Sequence, residues 1–150
     1  MMLHAIDSRG WETSTAWCVP TAISFITGAP LIHTHSRAAF LQNKKIKDVD
    51  GVLTSESLLL LREQGYKAKQ IKLADRYDDA PKLNQFLKDR SPYEFAMPLM
   101  LQIEDKKTFC HMICCHYGFA ADNHTMKIVP ISDFPHNSKY VTGAWVVTKQ

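Results

Sequence analysis

"MPLMLQIEDKKTFCHMICCHYG", residues 97–118, decides the fold, because here the chain changes from helical spacing to short apolar runs. Residues 97–103 and 108–118 are β-prone, and the charged turn Glu104-Asp105-Lys106-Lys107 divides them. Two further runs of this kind follow, "TMKIVPI" (125–131) and "KYVTGAWVVT" (139–148). They are set apart by the polar turns Asp122-Asn123-His124 and Pro135-His136-Asn137-Ser138. Upstream, apolar residues recur at helical intervals instead. Helices first and an antiparallel strand set afterwards predict an α+β fold.

The upstream helices have legible ends. Val19, Ala22, Ile23, Phe25 and Ile26 share a helical stripe over 18–27, and Pro20 fits the first turn, where its missing N–H costs nothing. Gly28 and Pro30 stop that helix. A second helix is predicted over 36–42, with His33 and His35 in the loop before it. A third is capped by Thr54 or Ser55 and closed by Gly65. A strand over 67–73 and a helical stretch from Pro81 complete the first two-thirds. Trp11, Trp17 and Trp145 read as core or rim aromatics, with Trp17 also able to line a groove beside Cys18.

The chain has 150 residues, 45% apolar and 22% charged, which suits one soluble domain spanning 1–150. A formal charge of +3 with no basic stripe gives no reason to expect nucleic-acid binding. No window approaches a membrane span, and the N-terminus lacks the pattern of an export signal. The four cysteines are therefore expected as free thiols in a cytoplasmic protein.

Cys18 admits two readings, a small hydrophobe in the core or a nucleophile at a helix start. A helix N-terminus carries partial positive charge and unpaired N–H groups, which favour thiolate and can hold an oxyanion. A thiolate needs a histidine to move protons, and His111, early in an apolar strand, is the best placed of seven. Along that strand His111, Ile113 and Cys115 share one face while Cys110, Met112, Cys114 and His116 share the other, so His111 and His116 cannot both meet Cys18. The same alternation argues against a metal at "CHMICCH", and neither a metal nor another cofactor is expected.

"WCVPTAISFITG" (17–28) resembles the nucleophile helix of papain-like cysteine peptidases, most of all the bacteriocin-processing domains that accompany export transporters. "GVLTSESLLLLREQGYKAKQI" (51–71) is similar to their next helix and strand, and "PLMLQI…FCHMICCHYGF" to their histidine-bearing hairpin. The resemblance implies a papain-like domain that cleaves an amide bond of a protein or peptide substrate, as a peptidase or a deamidase, with Cys18 as nucleophile and His111 as base. It also implies an oxyanion donor at Glu12, where relatives carry glutamine, and an Asp or Asn that orients the histidine from the strand after it. Taking that strand as 125–131, the orienting residue falls on Asp133, with Asn123 as second choice. Glu12, and Val19 where a glycine is common, motivate an alternative: a papain-like fold without turnover, acting as a binding module or inhibitor.

Overall fold

The computed structural model describes residues 3–7, 17–73, 80–105 and 110–150. Five α-helices and six strands lie within them: α1 (Cys18–Thr27), α2 (Leu31–Leu41), α3 (Thr54–Glu63), β1 (Tyr66–Gln70), α4 (Leu83–Lys88), α5 (Pro92–Phe95), β2 (Leu99–Glu104), β3 (Cys110–His116), β4 (Phe119–Ala121), β5 (Val129–Pro130) and β6 (Tyr140–Lys149). The strands form one sheet in the order β1-β6-β2-β3-β4-β5, with every neighbouring pair antiparallel. This is the α+β arrangement read from the sequence. Among the described residues no helix is long and apolar enough to cross a membrane.

Strand alternation sorts the apolar residues into two cores. Met100, Met112, Cys114, Trp145 and Val147 pack with Val19, Ala22, Ile23 and Ile26 of α1 and with Leu60 and Leu61 of α3. Leu99, Leu101, Ile103, Ile113, Cys115 and Val146 pack with Leu83 and Phe86 of α4 and with Phe134. The central strands are covered on both faces, which is why they read as unbroken apolar runs rather than as a polar/apolar alternation.

Local chemistry sets the helix ends. Gly28 adopts φ 82° and its N–H donates to the Ser24 carbonyl at 2.8 Å, closing α1 in the left-handed conformation that glycine tolerates best. A Cβ there would also meet the His4 ring at 3.1 Å, so the N-terminal segment packs where a side chain would otherwise stand. For α3 the cap comes from Glu56, whose carboxylate accepts the Leu53 N–H at 2.8 Å, rather than from Thr54 or Ser55.

Five elements differ from the sequence reading, the first being β1, which runs over Tyr66–Gln70 and stops short of 73. Helix α2 begins at Leu31, immediately after Pro30, and not at Ser36. Its polar start is drawn inward by a hydrogen bond between the Thr34 and Ser24 hydroxyls at 2.8 Å, so His35 is a buried helix residue and not a loop residue. The short helix α5 had no periodic signal. The run 125–131 contributes only the two residues of β5. The strand that follows β3 is instead β4, reached through a tight turn at Tyr117 (φ 52°) and Gly118 (φ 82°). Trp17 and Trp145 are buried as expected, while Trp11 lies outside the described residues.

Candidate active site

The first residue of α1 is Cys18, and α1 lies against β3. Pairing with β4 covers β3 only from Cys114 to His116, which leaves the first half of β3 at a sheet edge. Cys18 meets that edge. Its sulfur accepts hydrogen bonds from His111, from the backbone of Met112 and from the backbone of Val19. His111 lies on the face of Ile113 and Cys115, away from the face that packs on α1, and reaches the sulfur past the open edge of the strand.

Asp122 holds the far side of the imidazole. Its Oδ2 is 2.8 Å from His111 Nε2, and both side chains are shut off from solvent, with exposures of 0% and 4%. With Nε2 on Asp122, Nδ1 is the ring nitrogen left for Cys18. The carboxylate is itself fixed, since Oδ1 accepts the backbone N–H groups of His124 at 3.1 Å and Thr125 at 2.7 Å. The sheet therefore carries a continuous chain, Cys18–His111–Asp122.

Electrostatics follow the chain. Burial pushes the Cys18 thiol up, but the hydrogen bond and charge of His111 and the Met112 and Val19 backbones outweigh it and bring it below the ordinary thiol value. Burial alone would depress His111; hydrogen bonds to Asp122 and Cys18 and their charges raise it to about 9. Asp122 is pushed up by burial and pulled down further by His111 and Thr125, so it is held as carboxylate. These directions favour thiolate on Cys18 and imidazolium on His111. The other thiols run the opposite way. Burial raises Cys114 and Cys115, and desolvation with the Glu104 carboxylate raises Cys110.

A cleft of about 370 Å³ opens over the pair, walled by Cys18 and Val19, by residues 50–54 and by Gln102, Cys110, His111 and Met112. Gly143 serves one wall: a Cβ there would collide with the Trp145 ring at 2.9 Å and press on Gln102 at 3.2 Å.

Of the residues expected from the sequence, Cys18 and His111 come together. Asp133 does not join them; it is exposed on a 3₁₀ turn, and Asp122 makes the bond assigned to it. The reason is the strand order. The residue that orients the histidine does follow the next strand, but that strand is β4, which ends at Ala121. Glu12 lies outside the described residues. His116 is turned to the Ala96 carbonyl, 2.9 Å away, and takes no part. Sequence reading also missed His124, stacked on the His111 ring at 4.3 Å, and His136, whose Nε2 is 2.9 Å from His124 Nδ1. Isolated histidines in two polar turns gave no signal of convergence. No protein-family model matches the chain, and no curated protein matches it either.

Proposed function

We propose that the protein is a papain-like cysteine hydrolase acting on amide bonds of a protein or peptide substrate. The observation that carries this reading is the chain Cys18–His111–Asp122, with Cys18 at the cleft and the buried 2.8 Å bond between Nε2 and Oδ2 behind it. Cys18 thiolate attacks the amide carbonyl carbon, and the carbonyl π electrons move to oxygen. The resulting oxyanion lies at the start of α1, within reach of the Cys18 backbone N–H. As the C–N bond breaks, imidazolium His111 gives its Nδ1 proton to the leaving nitrogen. Water then attacks the thioester, His111 takes the water proton, and thiolate leaves. Asp122 keeps the ring in one tautomer and stabilises the imidazolium throughout.

Two readouts test the proposal. At pH 7, iodoacetamide should alkylate Cys18 well before Cys110, the other solvent-accessible thiol, as read by peptide mass. With p-nitrophenyl acetate, a stoichiometric burst of p-nitrophenol should precede a steady state, and Cys18→Ala should abolish the burst. Equal labelling of Cys18 and Cys110 overturns the hydrolase. Fast labelling without a steady state assigns the fold to binding instead.

A further inference from the structure

The proposed chemistry uses one histidine and one aspartate, yet three histidines surround that aspartate. We propose that His111 Nε2, Asp122 Oδ2, His124 Nδ1 and His136 Nε2 form a transition-metal site of the Zn²⁺ class, and that its occupancy switches off the hydrolase. The metal half of this proposal stands on the cluster alone; the regulatory half rests on the hydrolase reading above.

The four ligand atoms all lie within 4.8 Å of one another. Oδ2 of Asp122 is 2.8 Å from His111 Nε2 and 3.9 Å from both His124 Nδ1 and His136 Nε2, and those two nitrogens are 2.9 Å apart. A tetrahedral ion with bonds of about 2.0–2.1 Å needs ligand atoms roughly 3.3–3.4 Å from each other. The observed separations bracket that value, so small side-chain rotations would complete the shell. Three imidazoles and a single carboxylate oxygen suit zinc or cobalt, whereas magnesium and calcium select oxygen-rich sites.

The supports a metal site needs are present. Asp122 is oriented by two backbone N–H groups on Oδ1, which turns Oδ2 toward the imidazoles. His136 is braced edge-on by Phe134, with ring centres 5.6 Å apart. The site has an entrance as well, since the His124 side chain is 38% and the His136 side chain 16% exposed while His111 and Asp122 form the floor.

Coordination and catalysis compete for one atom. A metal on His111 Nε2 replaces the proton that Nε2 donates to Asp122, and that proton passes to the buffer. The coordinated ring then keeps its single proton on Nδ1 and has no lone pair with which to accept one from water. With an activated ester, whose p-nitrophenolate leaves without a proton, the thiolate can still be acylated while thioester hydrolysis stops; with an amide, acylation stops as well, because the neutral metal-bound imidazole is too weak an acid to protonate the leaving nitrogen.

The test uses the whole chain, stripped with EDTA and dialysed, with Zn²⁺ alone as titrant in calorimetry and Co²⁺ as a visible probe. The expected result is one equivalent bound, four-coordinate Co²⁺ bands, and affinity lowered at least about tenfold by either His124→Gln or His136→Gln, since even outer-sphere partners are worth that much. Cys18→Ser should bind Zn²⁺ as the wild type does. In the p-nitrophenyl acetate assay Zn²⁺ should suppress the steady state and spare the burst, with EDTA reversing the effect. Absence of Zn²⁺ binding, or binding that survives both histidine substitutions, overturns the site. Loss of the burst, or loss of binding in Cys18→Ser, moves the metal onto the thiolate and also overturns it. If Zn²⁺ binds Cys18→Ser normally but the metal-free wild type gives no burst, the hydrolase reading fails and the metal site stands.

Discussion

Strand β3 contains two Cys-His pairs, Cys110-His111 at its start and Cys115-His116 at its end, and they have opposite fates. The end of the strand is paired on both sides, with β2 and β4, and Cys115 is sealed in the core with its thiol pushed up by burial. His116 next to it is depressed by burial, and its hydrogen bond to the Ala96 carbonyl does not recover the loss. The start of the strand lies beyond the reach of β4, so Cys18 and Asp122 meet His111 there, and the same residue type is raised to about 9. Residue type and strand are constant across this comparison. What differs is an anionic partner on each side of the ring, and an open sheet edge is what admits them.

The largest effect is expected from breaking the two pairs separately. His111→Ala should slow alkylation of Cys18 at pH 7 by about 100-fold or more, the scale on which a positioned acid–base group acts. His116→Ala should leave Cys18 labelling within about twofold and instead cost roughly 1 kcal/mol in urea unfolding, because the part-buried hydrogen bond to the Ala96 carbonyl is lost. Equal slowing in both variants would mean that the two ends of β3 do not differ chemically.

A smaller effect separates the two aspartates. Asp122→Ala should lower steady-state turnover by at least about tenfold and up to about 10⁴-fold, the range open to the carboxylate that fixes a catalytic histidine's tautomer. Asp122→Asn should recover little of this, since Oδ1 accepts the His124 and Thr125 N–H groups while Oδ2 accepts from His111, and an amide offers one acceptor oxygen for the two sides. Asp133→Ala should change turnover by less than about twofold, as befits an exposed residue on a 3₁₀ turn. A deficit in Asp133→Ala as large as that in Asp122→Ala would restore the orienting role that the sequence suggested.

Why the sequence yielded one partner of His111 and not the other is a matter of local against non-local signal. Cys18 sits at a helix start marked by Pro20, the apolar stripe and Gly28, all within one short segment, so its place was legible. The position of His111 on its strand was legible by simple alternation. Strand β4 is three residues long, two of them alanine, and its turn is Tyr117-Gly118 rather than a strong hairpin dipeptide such as Asn-Gly. Without β4 the next apolar run becomes 125–131, and the orienting residue slides from Asp122 to Asp133. Helix α2 was shortened for a related reason: "HTH" is polar in composition, and the burial of Thr34 and His35 comes from tertiary contacts, the bond from Thr34 to Ser24 and the Trp17 ring against His35.

The comparison sharpens most with a third buried histidine that has no anionic partner. His35 is fully buried against the Trp17 ring, and among the described residues neither of its ring nitrogens has a hydrogen-bond partner. Burial depresses it to about 3. If partners and not burial raise His111, the two should affect stability with opposite sign in acid. Below about 6.5 the unfolded chain protonates the imidazole of residue 35, while the folded chain refuses that proton until pH falls to about 3. Acid therefore draws the equilibrium toward unfolding across this window, and the contribution is absent above it. His35→Leu removes the titrating group and keeps an apolar side chain in the cavity. Its urea midpoint should fall less steeply than that of the wild type between pH 6 and pH 4, the two curves running parallel from pH 7 to pH 8. Curves that stay parallel through the acid range would mean that the folded protein accepts a proton on His35, and that burial without a partner does not depress a histidine in this fold.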